Sequence, residues 1–593
     1  MKYPEIKDDE FYKKIYEIYK EYKIPKKQKS LDAFCFPKKF QLQKSQKMLS
    51  NYINPKTPYT GVLVYHKIGA GKTCTAVQIG EVWKKHRRIV VILPASLKGN
   101  FRNELRSLCA GASYLKDDER KTLQEHHPSS DEYKKIIEKS DERINKHYEI
   151  YSYNKFIELA QNNEINLRNS VLIIDEIQNM ISEDGTYYNV LYDLIHKSPK
   201  DLRVILLSAT PMFDKPQEFA LTINLLRPKK EMPVGKDFDK TFIETIENNK
   251  TGKSCYKAIN LDLFKEYIKG YVSYFRGAPP HVFPEQVVKY VNCQMSEFQQ
   301  SAYLGVLKYE ISQFKNIKKK ITEIESISVT KLPNNFFIGT RFVSNIVYPN
   351  RKIGDEGIKS FTDNQIRKNL EKYSCKFAKI MNRINRSRGK VFVYSSFKEE
   401  AGIKSFVRVL EALGYKNYVT EGEGVQRFAV WSGDEDIYLK EEIKNVYNQK
   451  TNLNGSKLKI LVLSPAAKEG ISLTGVRQAH LLEPYWNLAR LQQIIGRGSR
   501  FCSHKDLPEE KRNIKVYIYV ATHPDKKSKK NKEPKETKET VDQYINQLAF
   551  QKNKLIDEFE KAIKESAIDC KIFKNANYYP DIDPETDNFK CEN

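Results

Sequence analysis

The sequence has no apolar run approaching the roughly 18 residues that a membrane-spanning helix needs, and its opening, Met1-Lys2-Tyr3-Pro4-Glu5, has no signal-peptide core. The chain is therefore expected to be soluble and intracellular. Cysteine is sparse and unpatterned. The nine cysteines (Cys35, Cys74, Cys109, Cys255, Cys293, Cys375, Cys502, Cys570, Cys591) are odd in number and never form Cys-x-x-Cys. This argues for a reducing compartment and against both a zinc site and a disulfide framework. Acidic charge is in deficit, since 75 Asp+Glu stand against 101 Lys+Arg and leave a formal net charge of +26. Such a surplus favours a polyanionic partner, nucleic acid before an anionic membrane. A merely lysine-rich soluble protein would carry the same surplus.

At 593 residues the chain exceeds what one hydrophobic core usually supports, so two or more domains are expected. Residues 8 to 23 interleave charge with Phe11, Tyr12, Ile15, Tyr16, Ile18, Tyr19 and Tyr22. This aromatic stripe, stopped by Pro25, reads as a packing helix rather than a base-stacking platform. Strand-like runs at Gly61 to Tyr65, Arg88 to Leu93, Ser170 to Ile174 and Leu202 to Leu207 then alternate with helical stretches, the pattern of a parallel sheet wrapped by helices. Long polar helical segments follow, one opening at Ser296-Glu297-Phe298-Gln299 with capping-box spacing. A second alternating block has strands at Lys390 to Tyr394, Lys457 to Leu463, Gln478 to Leu482 and Ile514 to Val520. The expected fold class is α/β, with two parallel-sheet lobes in tandem and a helical insertion between them. The boundaries are an N-terminal helical extension over 1–35, lobe 1 over 36–228, the helical region over 229–375, lobe 2 over 376–525, and a basic loop with a helical tail over 526–593. The run Lys526 to Lys532 and the following 534–540 read as a solvated charged loop.

Chemistry concentrates in a few short motifs. Val62 to Tyr65 runs into Gly69-Ala70-Gly71-Lys72-Thr73, a glycine turn whose backbone N–H groups can close around phosphates. Lys72 offers a point charge to β- and γ-phosphates, and Thr73 offers a hydroxyl to Mg²⁺. A strict phosphate loop has a glycine where His66 stands, and alone the turn is equally compatible with a flexible surface loop. A later strand ends in Asp175-Glu176-Ile177-Gln178, two carboxylates at the sheet edge where parallel sheets bind ligands. Asp175 suits holding Mg²⁺ and Glu176 suits orienting an attacking water. Another strand closes in Ser208-Ala209-Thr210-Pro211, small hydroxyl residues able to link a nucleotide site to a neighbouring surface. Near the end of the second block, Gln493 leads to Gly496-Arg497-Gly498-Ser499-Arg500. If that segment is helical, Arg497 and Arg500 share a face and both guanidinium groups can reach one phosphate.

Together with Glu469-Gly470-Ile471-Ser472-Leu473, these segments resemble motifs I, II, III, V and VI of superfamily 2 helicases in order and spacing. Upstream, Phe40 to Gln46 resembles the adenine-side glutamine motif, and Leu93-Pro94-Ala95-Ser96-Leu97 resembles motif Ia. Tyr271 to Gly277, Ser344 to Pro349, Glu483 to Asn487 and Ser503 to Pro508 are similar to segments of the large cytoplasmic DNA virus branch. That branch includes the poxvirus nucleoside triphosphatase I and the early transcription factor small subunit. The resemblance implies two RecA-like lobes that hydrolyse ATP with Mg²⁺. It assigns Gln46, Gly69, Ala70, Gly71, Lys72, Thr73, Asp175 and Gly470 to nucleotide and metal. Glu176, Gln493, Arg497 and Arg500 fall to catalysis. Gln178, Ser208, Ala209 and Thr210 fall to coupling, with Gln178 where many relatives carry His. Pro94, Ser96 and the turns at Ser396 and Ser464 fall to nucleic-acid backbone. Trp486 reads either as a contact or, more simply, as core. The implied partners are DNA, with RNA open, a viral RNA polymerase and the early transcription factor large subunit, in the virion and the host cytoplasm. Three roles stay open on the residues: a translocating ATPase of viral early transcription or termination, a strand-separating replication or repair helicase, and a promoter-binding factor or virion component with a vestigial ATPase.

Overall fold

The apolar run Gly61–His66 forms strand β1 with every residue buried, as a strand inside a parallel sheet covered on both faces must be. β2 (Arg88–Leu93), β3 (Tyr148–Ser152), β4 (Ser170–Ile174) and β5 (Arg203–Ser208) follow. An antiparallel hairpin, β6 (Ile243–Glu247) and β7 (Ser254–Ala258), then precedes β8 (Val272–Phe275). The sheet order is β3-β2-β4-β5-β1-β8 and every pairing is parallel. Alternation along β1 separates two cores: Leu63 and Tyr65 face one, Val62 and Val64 the other. The computed structural model describes residues 3–26, 30–126, 130–181, 185–247, 254–313, 336–468, 471–525, 539–579 and 590–592.

The chain divides into two units, Met1–Pro280 with Lys554–Asn593, and His281–Asn553. The second unit holds β9 (Glu285–Gln294), β10 (Lys390–Tyr394), β11 (Lys416–Asn417), β12 (Arg427–Trp431), β13 (Ile460–Leu463), β14 (Val476–Leu481) and β15 (Asn513–Thr522). Their order is β11-β12-β13-β10-β14-β15-β9, again with parallel pairings throughout. Each unit is thus an α/β body built on its own parallel sheet.

Two regions differ from those read off the sequence. The region 229–375 is not a helical insertion. It supplies the β6–β7 hairpin, β8 to the first sheet and β9 to the second, alongside helices such as Glu297–Gln313 and Asp363–Tyr373. Within residues 1–35 the aromatic stripe packs as expected, with Phe11, Ile15 and Tyr19 buried in one core of unit 1 beside Met48, Leu49 and Tyr52. The tail also returns to unit 1: Phe559 and Ile563 enter its first core, Ile568 and Phe573 its second. The charged stretch 526–538 lies outside the described residues.

The cysteines depart from expectation as well. Cys74 is bonded to Cys109 and Cys570 to Cys591, with Cα separations of 5.8 and 5.7 Å. Partners 35 and 21 residues apart in sequence meet only through tertiary packing, so spacing gave no sign of them. At the start of Glu297–Gln313 half of the expected capping box forms: Gln299 N donates to Ser296 Oγ at 3.0 Å. The Gln299 side chain bonds Val343 O and Cys375 N instead, tying three helices together.

Candidate functional site

Strand order assembles the first site. β5 lies between β4 and β1, with Tyr65 level with Ser208 and Ile174 level with Leu206. The three motifs that leave the carboxyl ends of these strands therefore stand side by side on one sheet edge.

After β1 the chain turns through Gly69 and Gly71, whose φ angles of 83° and 76° lie in the left-handed region that L side chains avoid. Gly71 is the N-cap of helix Lys72–Trp83. A Cβ there would also stand 2.7 Å from Gln46 Nε2 and push that side chain aside, while the conformation itself calls for glycine. Lys72 and Thr73 open the helix, where unpaired N–H groups and the helix dipole favour an anion. Gln46 is buried against this turn: its Oε1 accepts from Gln43 N at 2.8 Å and its Nε2 donates to Gly71 O at 3.3 Å. His66, at the missing first glycine, ends β1 rather than entering the turn. It is buried, its Nε2 lies 3.0 Å from Ser273 Oγ, and burial together with the Lys72 charge lowers its pKa to about 3. A neutral imidazole packed beside Phe275 is compatible with a phosphate cradle that starts later in the chain.

After β4, Asp175 is buried and its Oδ1 accepts from Glu176 N at 3.0 Å. Glu176 has φ 52°, a left-handed conformation that costs a non-glycine residue about 1 kcal/mol or more and recurs at functional sites. The Tyr153 hydroxyl holds this bend by donating to Asp175 O at 2.5 Å and to Glu176 O at 2.9 Å. Tyr153 went unnoticed in the sequence, since it opens a helix after β3 and no motif surrounds it.

A continuous polar chain runs outward from here. Lys72 Nζ stands 3.6 Å from Glu176 Oε1, and Gln178 Nε2 donates to Glu176 Oε2 at 2.6 Å. Ser208 Oγ donates to Gln178 Oε1 at 2.7 Å and accepts from Thr210 N at 2.9 Å. With Ala209 buried between them, one ion pair and three hydrogen bonds join Lys72 to the residues assigned to coupling in a single polar line. Glutamine at 178 serves because its amide donates at one end and accepts at the other. Pro94 is buried at the end of β2, and the following turn Ala95–Leu97 exposes Ser96.

In the second unit, Glu483 is buried and collects Ser395 Oγ at 2.6 Å, Ser396 N at 3.1 Å and Asn345 Nδ2 at 2.8 Å. This fixes the turn after β10 and leaves Ser396 half-buried. Ser464 is buried instead, and its Oγ accepts from Ala466 N at 3.2 Å, so the hydroxyl expected on a phosphate caps its own turn. Trp486 is core: it is buried and stacks on Tyr485 with centroids 4.1 Å apart. Gln493 and Arg497 lie half-buried on helix Leu488–Gly498. Arg497 O accepts from Leu473 N at 2.9 Å, which ties the fifth motif to the sixth. Gly498 lets that helix lie against the sheet, since a Cβ would meet Phe392 at 3.0 Å. Arg500 is not on the helix. The last turn closes at Ser499, so the helical spacing argued for Arg497 and Arg500 fails, and Arg500 N donates to Ser503 Oγ instead. Glu469 and Gly470 lie outside the described residues.

The donor set fits a hard cation, because Thr73 and Asp175 offer hydroxyl and carboxylate oxygens beside the turn that would carry phosphates. The SNF2-related domain family matches residues 36–338, and the Helicase conserved C-terminal domain family matches residues 375–502. A protein of Acanthamoeba polyphaga mimivirus named as an ATP-dependent RNA helicase is 51% identical over 581 residues, covering 98% of each chain. A second mimivirus protein so named is 28% identical, covering 94% of this chain and 78% of its own. The Termination factor NPH-I homolog of African swine fever virus is 24% identical, covering 86% of this chain and 76% of its own.

Proposed function

The chain belongs to the SNF2-related family of superfamily 2 helicases and is an ATP hydrolase, and from that premise we propose that it translocates on DNA in viral transcription, at early initiation or at termination. The observation that carries this reading is the line Lys72–Glu176–Gln178–Ser208–Thr210, which leads from the phosphate position to the sheet edge. In it Lys72 and the N–H groups of the glycine turn bind the phosphates, and Glu176 takes a proton from the attacking water. Mg²⁺, held by Thr73 and Asp175, supplies charge neutralisation on the phosphates when bound. Arg497 stabilises charge on the transferring phosphoryl. Ser96 and the Ser396 turn hold nucleic-acid backbone without reading its sequence. The role in transcription is supported by the termination-factor name of the African swine fever virus relative. It makes a viral RNA polymerase and the early transcription factor large subunit the expected partners, in the virion and the host cytoplasm. A second reading, RNA as the track, is favoured by the name of the 51% identical mimivirus relative.

The test is the ATPase rate with saturating double-stranded DNA, single-stranded DNA or RNA. DNA is expected to stimulate it, and stimulation to weaken as salt rises because phosphate contacts release counterions. A larger response to RNA would select the second reading, and a rate indifferent to all three would overturn both. Co-purification with polymerase subunits tests the partner.

Gln178 gives a separate prediction. Gln178→Ala leaves Lys72, Asp175 and Glu176 in place but cuts the link to Ser208. Basal hydrolysis is expected within about threefold of the parent, while stimulation by nucleic acid is lost. Full stimulation in that variant would show that coupling runs elsewhere.

A further inference from the structure

β8 is the edge strand beside β1, and its outer rim is not left to solvent. The segment that follows the second unit in sequence returns and satisfies it group by group. Ile568 N donates to Val272 O at 2.9 Å, and Tyr274 N donates to Asp569 Oδ1 at 2.9 Å. Ser273 Oγ donates to Asp569 Oδ2. Arg276 N donates to Asn577 Oδ1 at 2.8 Å, and Asn577 Nδ2 donates to Tyr274 O at 3.1 Å. The inner rim of β8 meanwhile holds the phosphate turn. Lys67 N donates to Phe275 O at 3.1 Å, and His66 reaches Ser273 Oγ. Ala70 lies so close to Gly277 that a Cβ there would stand 3.1 Å from its Cα.

A second contact bypasses β8. Lys67, the residue that leads into the glycine turn, places Nζ 3.4 Å from Glu560 Oε2 and 4.8 Å from the Tyr65 ring centroid. Glu560 is also 3.2 Å from Lys564, whose ammonium lies over Tyr274. Burial opposes the Glu560 carboxylate, but Lys67 and Lys564 outweigh it and hold its pKa down at about 2. Glu560 is therefore a fixed charge at working pH.

We infer that Glu560 and Asp569 are positioning residues of the ATPase site, setting the phosphate turn through Lys67 and through the Ser273–His66 pair respectively. The inference rests on the ATP site described above and extends it to a segment outside both helicase-family matches. Neither carboxylate is among the residues assigned to ATP. Glu560 holds the Lys67 side chain and Asp569, through Ser273, the His66 side chain, both on the segment that leads into Gly69–Thr73, so loss of either loosens the cradle in the ground state and appears in KM before kcat.

The experiment is a double-mutant cycle on the full chain with Lys67→Met and Glu560→Gln. Each single change is expected to raise the KM for ATP about tenfold, and the double variant no further than the worse single, because both remove one contact. Unchanged KM, or effects that multiply in the double variant, would overturn the inference. Should Glu560→Gln fail to fold, Asp569 supplies the test: Asp569→Ala raises KM, whereas Asp569→Asn, whose Oδ1 can accept from Tyr274 N while its Nδ2 donates to Ser273 Oγ, restores most of it. Equal KM in Asp569→Ala and the parent refutes the role. Lys72→Ala separates the two levels: its failure to weaken ATP binding would strike the site assignment, whereas its loss of binding beside normal Glu560 and Asp569 variants would strike only this inference.

Discussion

Glu176→Gln is expected to bind MgATP as the parent does and to lose about 10²- to 10⁴-fold in turnover, the range general-base catalysis spans. The substitution changes one atom's chemistry and little else. Gln178 Nε2 donates to Glu176 Oε2, and an amide oxygen still accepts that bond, though without the carboxylate's charge. The left-handed bend at φ 52° is held by Tyr153 through backbone carbonyls, so it does not depend on the side chain's charge. What disappears is the ability to accept a proton from water. Lys72 also loses its anionic neighbour at 3.6 Å, which leaves the ammonium no worse placed for phosphate. Lys72→Ala should behave oppositely, with ATP affinity falling first because the point charge on the phosphates is gone. Equilibrium binding of ATP and steady-state turnover on the two variants separate the roles. A Glu176→Gln enzyme turning over near the parental rate would remove Glu176 as the base.

That this site could be read in advance, while its supports could not, follows from the range of the interactions. Gly69 to Thr73, Asp175 to Gln178 and Ser208 to Thr210 are local: each is a strand end plus a turn, with identities fixed by φ or by ligand chemistry within a few residues. The strands beneath them carry continuous apolar runs, as buried parallel strands do, and β1, β2, β4, β5 and β10 lie close to where those runs end. β8 was legible only as part of a resemblance. Four residues, Val272–Phe275, make too short a run to register as a sheet member, and their partners are β1 and the 568–577 segment. Asp569 and Ser273 are 296 positions apart, and no sequence period encodes such a pair. β9 misled for another reason. Its first six residues are mostly exposed and alternation sets in only over its last four, too short a stretch to stand out from the long polar segments around it. The shared face argued for Arg497 and Arg500 required a helix through residue 500, and the helix ends two residues earlier, at Gly498.

The last expectation concerns Arg497, which belongs to unit 2 whereas Lys72 and Glu176 belong to unit 1. If the two units act as one ATPase, the cost of losing this guanidinium should fall on turnover and spare binding. Lys72 and the glycine turn already hold the ground-state phosphates, and a residue that acts only as charge develops on the transferring phosphoryl contributes little before then. Arg497→Ala is therefore expected to leave ATP affinity near that of the parent and to reduce turnover by about 10³, the lower part of the range for arginine fingers in other nucleotide hydrolases. The helix should survive the change, since its burial rests on Leu491, Ile494, Ile495 and Gly498 and its tie to Leu473 uses the Arg497 carbonyl. Arg497→Lys should recover little, because an ammonium keeps the charge but lacks the planar fork that meets two phosphate oxygens at once. Affinity and turnover measured on both variants decide the matter. A parental rate in Arg497→Ala would mean that unit 2 lends no arginine to hydrolysis, and the alternative of a promoter-binding or virion protein with a vestigial ATPase would then gain over a motor.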